Sequence, residues 1–116
     1  MNKHEFGKQG QNIAKRYLLN KGYVFIAEHF TGTRGEIDLI FKDGDQMVFV
    51  EVKTRSSERF GTAFEAITWS KRKKLFDTAI EYLERHAINT DNFRIDGVGV
   101  VMGVAEPQLR HWINIR

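Results

Sequence analysis

Two strand-like runs, Glu36 to Lys42 and Gln46 to Lys53, stand either side of Asp43-Gly44-Asp45. Asp-Gly between alternating runs is a strong hairpin signal, because short hairpin turns need positive φ angles that these residues tolerate. A hairpin decides which side chains share a face. Glu36 and Asp38 fall on one side of the first strand, with Ile37, Leu39 and Phe41 on the other. In the second strand Val48, Val50 and Val52 form an apolar face, opposite Met47, Phe49, Glu51 and Lys53. With the turn at Asp43-Gly44, Glu36 lies opposite Glu51 and Asp38 is one diagonal step away; with the turn at Gly44-Asp45, Asp38 faces Glu51 directly. Either register gathers Glu36, Asp38, Glu51 and Lys53. A three-residue loop would instead turn Asp38 toward the face of Val50 and Val52.

The remaining elements arrange themselves around this hairpin. From about Glu5 to Lys21, Phe6, Gly10, Ile13, Ala14, Tyr17 and Leu18 recur at helical spacing, and Gly22 is placed to end the helix as a left-handed cap. Tyr23 to Phe30 is aromatic and branched and stops at Thr31-Gly32-Thr33-Arg34, so it reads as a strand. Thr62 and Glu65 form a T-x-x-E capping box that predicts a helix start, with another start at Ser70. Leu75, Phe76, Ala79, Ile80 and Leu83 give that second segment an apolar stripe to about His86. Phe93 to Met102 and Leu109 to Ile115 read as closing strands, the last alternating Leu109, His111, Ile113 and Ile115 against Arg110, Trp112 and Asn114. The expected order is αβββα followed by ββ, in one domain over residues 1–116.

Composition excludes several function classes. With no Cys, thiolate metal sites, disulfides and cysteine nucleophiles are absent, so any metal is held by oxygen or imidazole. No apolar run approaches the roughly 20 residues of a membrane span, and the first residues do not resemble a secretory signal, which predicts a cytoplasmic protein with no membrane partner. Lys and Arg exceed Asp and Glu by 18 to 15, a balance compatible with a polyanionic partner. No Gly-rich phosphate loop is present, which leaves ATP hydrolysis unsupported.

Carboxylates at cross-strand distance repel each other and require compensation. A divalent cation supplies it: Mg²⁺ takes one or two protein carboxylates and completes its octahedron with water and phosphate oxygens. Lys53, on the same face as Glu51, would then hold an attacking water or stabilise a phosphoryl transition state. The same four residues also suit a solvated sheet face on which Lys53 simply pairs with the acids.

Asp38, then twelve residues, then Glu51-Val52-Lys53 reproduces the D…(D/E)-x-K pattern. Gly35-Glu36-Ile37-Asp38-Leu39-Ile40 followed by Val48-Phe49-Val50-Glu51-Val52-Lys53-Thr54-Arg55-Ser56 resembles the bacterial YraN family, predicted endonucleases related to archaeal Holliday junction resolvases. Gly7-Lys8-Gln9-Gly10 through Tyr17-Leu18, Glu65-Ala66-Ile67 with Lys71 and Lys73, and Phe93-Arg94-Ile95-Asp96 extend the resemblance over nearly the whole chain. It implies an α/β fold of the restriction-endonuclease-like kind, with an αβββαβ core and a central mixed sheet flanked by helices. It further implies that Asp38 and Glu51 bind Mg²⁺ or Mn²⁺, with the Val52 main-chain carbonyl completing the protein ligands, and that Lys53 is catalytic alongside them. The family commonly carries an acid after the second glycine of its first helix, where this chain has Gln11. Seven residues before Leu18, Gln11 sits at the edge of the apolar stripe, and its amide oxygen could accept a bond from metal-bound water without adding charge. Glu36 is either a supporting or additional metal ligand or a salt-bridge partner of Arg34 or Lys53. The capping box accounts for Glu65 without catalysis.

Lys71-Arg72-Lys73-Lys74 oppose the dipole at the positive end of their helix, an arrangement that phosphate contact favours, and Arg34 and Arg55 extend the surface. A solvated charged face is the alternative. His4, His29, His86 and His111 show no metal-ligand spacing, and Trp69 and Trp112 are expected to be mostly buried rather than stacked on bases. Together these features predict a metal-dependent DNA endonuclease, with branched DNA among its candidate substrates. The alternative is a nucleic-acid-binding module that keeps the fold with weak or absent catalysis because Gln11 replaces an acid. Resolvase activity, with two nearly symmetric cuts, would imply a homodimer.

Overall fold

The computed structural model describes residues 1–59, 61–103 and 105–116. Its elements are helix α1 (Lys3–Asn20), strands β1 (Val24–Thr31), β2 (Glu36–Asp43) and β3 (Gln46–Arg55), helices α2 (Ala63–Ala66) and α3 (Trp69–Arg85), and strands β4 (Phe93–Val101) and β5 (Gln108–Trp112). The sheet runs β1-β2-β3-β4-β5 in sequence order, antiparallel except for the parallel β3–β4 pair. Only that pair needs a crossover, and α2 with α3 supplies it. The mixed sheet flanked by helices is the fold class that the sequence predicts. No helix among the described residues is long and apolar enough to cross a membrane.

Each face of the sheet carries its own apolar layer. Ala14 and Leu18 of α1 pack with Leu39, Phe41, Val48, Val50, Val52, Val98 and Val100. On the other face Leu75, Ala79, Tyr82 and Leu83 of α3 pack with Ile37, Ile40, Met47, Phe49 and Ile95. The first half of β3 is buried on both sides, so Met47 and Phe49 join the α3 layer rather than water. Helix α1 ends as expected, with Gly22 at a φ of 94°. The capping box of Thr62 and Glu65 starts α2, while Thr68 caps α3 one residue earlier than the sequence suggests.

Gly10 sets how closely α1 approaches the sheet. A Cβ there would lie 1.9 Å from Thr54 Oγ1 and 2.8 Å from its Cγ2. Gly10→Ala is therefore expected to lower stability by about 1–3 kcal/mol through overpacking, read as a shift in the urea unfolding midpoint with an unchanged slope.

Two expectations fail in detail. Ile37 packs with Ile40 in the α3 layer, while Leu39 and Phe41 pack under α1, so strict alternation breaks in β2 around Asp38. The cause is local: β2 pairs with β3 only as far as Leu39↔Val50, and His29, across from Asp38 in β1, has a φ of 55°. The last strand stops at Trp112 rather than Ile115. Asn114 has a φ of 56°, and the Ile115 N–H donates to the Ile95 carbonyl, which brings Ile115 into the α3 layer with Trp112 instead of keeping it beside Leu109 and His111.

Candidate metal centre

The hairpin resolves its own ambiguity. Asp43 pairs with Gln46, so the loop is Gly44-Asp45, with Gly44 at a φ of 62°. Extending that register puts Asp38 opposite Glu51, one pair beyond the last ladder rung at Leu39↔Val50. Here the strands part. β2 continues toward Glu36 paired with β1, while β3 continues to Arg55 paired with β4. The backbone groups released at the fork need partners. Asp38 supplies one, its Oδ2 accepting the Val52 N–H at 2.8 Å.

Helix α1 closes the fork from its own side. Gln11 Nε2 donates to Asp38 Oδ1 at 3.1 Å, which orients the carboxylate. The other end of that amide, Gln11 Oε1, is buried without a hydrogen-bond partner. Orphaned buried acceptors are uncommon and costly. Burial, a hydrogen bond with Asp38 and the charge of Asp38 push the Glu51 carboxyl up to about 9, against the opposing charges of Lys53 and Lys71. A carboxylate beside another carboxylate is disfavoured, which is why Asp38 adds to the rise at Glu51.

Two clefts open on the fork. One, of about 520 Å³, is lined by residues that include Gln11, Asp38, Glu51, Val52 and Lys53. The other, of about 570 Å³, takes in His4, His29, Glu36 and Asp38. Asp38 and Gln11 border both. Among the described residues no three His, Asp or Glu side chains converge on a point. The available donors are two carboxylates, the Val52 carbonyl that the family resemblance implies, and the Gln11 amide oxygen. That hard, oxygen-only set, with few charges, suits Mg²⁺ or Mn²⁺ keeping several waters.

The other sequence candidates divide. Glu36 is exposed at the cleft rim, and Arg34 pairs with Asp77 at 3.1 Å rather than with Glu36. Lys71 Nζ donates to the Ala66 carbonyl and Arg72 Nε to the Ile67 carbonyl, so both tie α3 back to the end of α2. Lys73 and Lys74 are exposed, and Arg55 is half-buried just past the fork. Trp69 is not buried as expected: it is 78% exposed, because it lies off the stripe of Leu75, Ala79, Tyr82 and Leu83 that faces the sheet.

Sequence reasoning overlooked a second polar centre under the C-terminal end of α1. The Arg94 guanidinium bonds both oxygens of Asp96 at 3.0 and 3.2 Å, Asp43 at 3.1 Å, Gln46 at 2.8 Å and the Tyr23 hydroxyl at 2.6 Å. Asp96, fully buried, also accepts from His111 Nε2 at 2.7 Å and from the Asn114 N–H at 3.0 Å. Lys21 Nζ lies 3.0 Å from His111 Nδ1. An ammonium can only donate, so the histidine carries its proton on Nε2 and gives it to Asp96. Burial alone would raise the Asp96 pKa, but the bonds from His111, Arg94 and Asn114 hold it below its ordinary value. The signal available in the sequence was an Arg and an Asp at alternate positions of an otherwise apolar strand, a pattern that calls for mutual pairing.

Comparison with known proteins shows the family to which the chain belongs. The model of an uncharacterised protein family, UPF0102, matches residues 10–100. A UPF0102 protein of Clostridioides difficile (strain 630) is 36% identical over 114 residues, 98% of both chains. One from Rhodococcus opacus (strain B4) is 38% identical over 106 residues, 90% of each chain. One from Vibrio campbellii is 43% identical over 101 residues, covering 84% of this chain and 82% of the relative.

Proposed function

This chain belongs to the UPF0102 family, and from that premise we propose that it is a Mg²⁺-dependent DNA endonuclease that hydrolyses phosphodiester bonds at the β2–β3 fork. The observation that carries the reading is the placement of Asp38 opposite Glu51 in one cleft, beside a buried, unpartnered Gln11 Oε1. A solvated sheet face would give these groups water; the fork instead withdraws them and leaves oxygen valences unmet.

Asp38, Glu51 and the Val52 carbonyl are the residues that would hold the metal, and the unpartnered Gln11 Oε1 would be a further oxygen donor. When bound, Mg²⁺ supplies Lewis-acid polarisation of the phosphate and a water of lowered pKa. Gln11 and the Val52 N–H fix the orientation of Asp38 before any ligand arrives, which is what preorganisation requires. Lys53, on the same face as Glu51, brings a cation to the position where negative charge accumulates on the phosphoryl oxygens. Exposed Lys73 and Lys74 and the nearby Arg55 offer backbone phosphate contacts, which position DNA without reading its sequence. The purified protein is expected to cut labelled linear, flapped or four-way-junction DNA in Mg²⁺ or Mn²⁺, and to stop on addition of EDTA.

Gln11 favours a second reading, a DNA-binding module with weak catalysis, since it provides an amide where an acid would add charge. The two readings part on metal affinity. Gln11→Glu adds a third carboxylate at the fork and removes the Nε2–H bond to Asp38. It is expected to bind Mn²⁺ at least roughly tenfold more tightly by titration calorimetry, a modest share of the Coulomb energy of one added charge at contact. Its metal-free form should melt at a lower temperature, as three carboxylates then crowd one site. If Gln11→Glu cuts DNA and the parent does not, the binding-module reading holds for the parent.

A further inference from the structure

Trp69 opens α3 and is 78% exposed. It borders a groove of about 410 Å³ with Arg72, Lys73, Phe76, Asp77 and Arg116. Trp69, Lys73 and Phe76 stand at i, i+4 and i+7, so they form one ridge beside the stripe that faces the sheet. The floor is firm: Phe76 stacks on Phe93 with ring centroids 5.6 Å apart, and the Arg116 guanidinium lies over Phe76 at 4.1 Å. Asp77, the acid in the groove, is already paired with Arg34. What remains is cationic and aromatic.

We propose that this groove binds a single-stranded segment of DNA, one unpaired base stacking on the Trp69 ring while Lys73 and Arg116 contact the flanking phosphates. Stacking platforms set among cations are how proteins hold unpaired strands, because every base offers a π-face and every linkage a charge. A second copy of the chain is disfavoured by the same charges, which would oppose their own image. Helix α2 links the start of α3 to the part of the sheet that carries the fork. Lys71, two residues beyond Trp69, bonds the Ala66 carbonyl, and a Cβ on Gly97 or Gly99 would meet Ile67 or Ala63. Gly97 and Gly99 pair with Glu51 and Lys53. Resting on the endonuclease reading, the groove deepens it by making the substrate DNA with an unpaired segment, such as a flap or junction.

The test is binding in EDTA, where nothing can be cut, of fluorescein-labelled single-stranded, flapped and blunt duplex DNA, and of RNA of the same sequence. Trp69→Ala should weaken single-stranded and flapped DNA about tenfold, within the range for one lost stack, and duplex less than twofold, while Trp69→Phe keeps most of the affinity. Melting of Trp69→Ala should stay close to the parent, since the side chain is 78% exposed. Equal loss on duplex and single strand, tighter Trp69-dependent binding of RNA than of DNA, or no binding of any oligonucleotide overturns the inference; the last leaves the groove to a protein partner. Trp69-dependent binding without cleavage in Mg²⁺ would sink the endonuclease reading and spare this one. Cleavage with no role for Trp69 would do the reverse.

Discussion

Asp38→Asn is expected to remove DNA cleavage and Mg²⁺ binding together while leaving the metal-free fold at least as stable as the parent. The loss of rate should reach at least about 10²–10³-fold, the range for taking one charge-stabilising group from a preorganised site. The fold is spared because an asparagine oxygen still accepts the Val52 N–H, and its amide group can donate to Gln11 Oε1 once the Gln11 amide turns over, in place of the Nε2–H bond that Asp38 accepts in the parent. Removing the charge also relieves Glu51. A carboxyl whose folded pKa is raised binds its proton more tightly in the native state, so stability is fullest below the ordinary value of 4.5 and declines as pH rises through about 9. With Asn at position 38 that decline becomes shallower. Cleavage assays, calorimetry with Mg²⁺ and thermal melts in EDTA from pH 5 to 9 measure all three effects. Unchanged cleavage by the variant would remove Asp38 from the chemistry.

The second large effect is on folding. Asp96→Ala should cost about 3–5 kcal/mol, the usual result of stripping one partner from a buried ion pair, which is a large part of the total stability of a small domain. Without Asp96, the nearly buried Arg94 guanidinium keeps only Asp43, Gln46 and Tyr23, and the His111 Nε2–H and the Asn114 N–H lose their acceptor. Acid pH should act the same way. Because the folded Asp96 pKa is lowered, its contribution is fully present above the ordinary value of 3.8 and fades as pH falls through the folded value. Asp96→Asn, which cannot be protonated in that range, should lack this part of the acid limb. Urea unfolding at pH 7 and pH 3 separates the two, and a loss below about 1 kcal/mol in Asp96→Ala would mean that the network contributes little net stability.

These two carboxylates show where sequence reading succeeds and where it stops. Asp38 was legible because hairpin chemistry at Gly44 and period-two alternation are local: a few residues of turn and pleat bring Asp38, Glu51 and Lys53 into one neighbourhood. The resemblance supplied the fold class in the same way, through residues contiguous in the chain. Asp96 was not legible as a centre because its partners, Tyr23, Asp43 and His111, come from three other strands or loops, and only closure of the sheet brings them within 3.1 Å of it or its arginine.

The sequence by itself determined the hairpin, the helix ends at Gly22 and at Thr62 with Glu65, and the identity of the candidate carboxylates, since each depends on neighbours within a turn or a pleat. Tertiary structure alone decided that β2 and β3 part at Asp38, that Lys71 and Arg72 are spent on α2, and that Trp69 faces solvent. A fork depends on which other strands compete for the edge of each partner, here β1 for one and β4 for the other. The direction of a helical side chain depends on which stripe the sheet claims. Both are set by contacts between residues far apart in the chain, whose spacing no local pattern encodes.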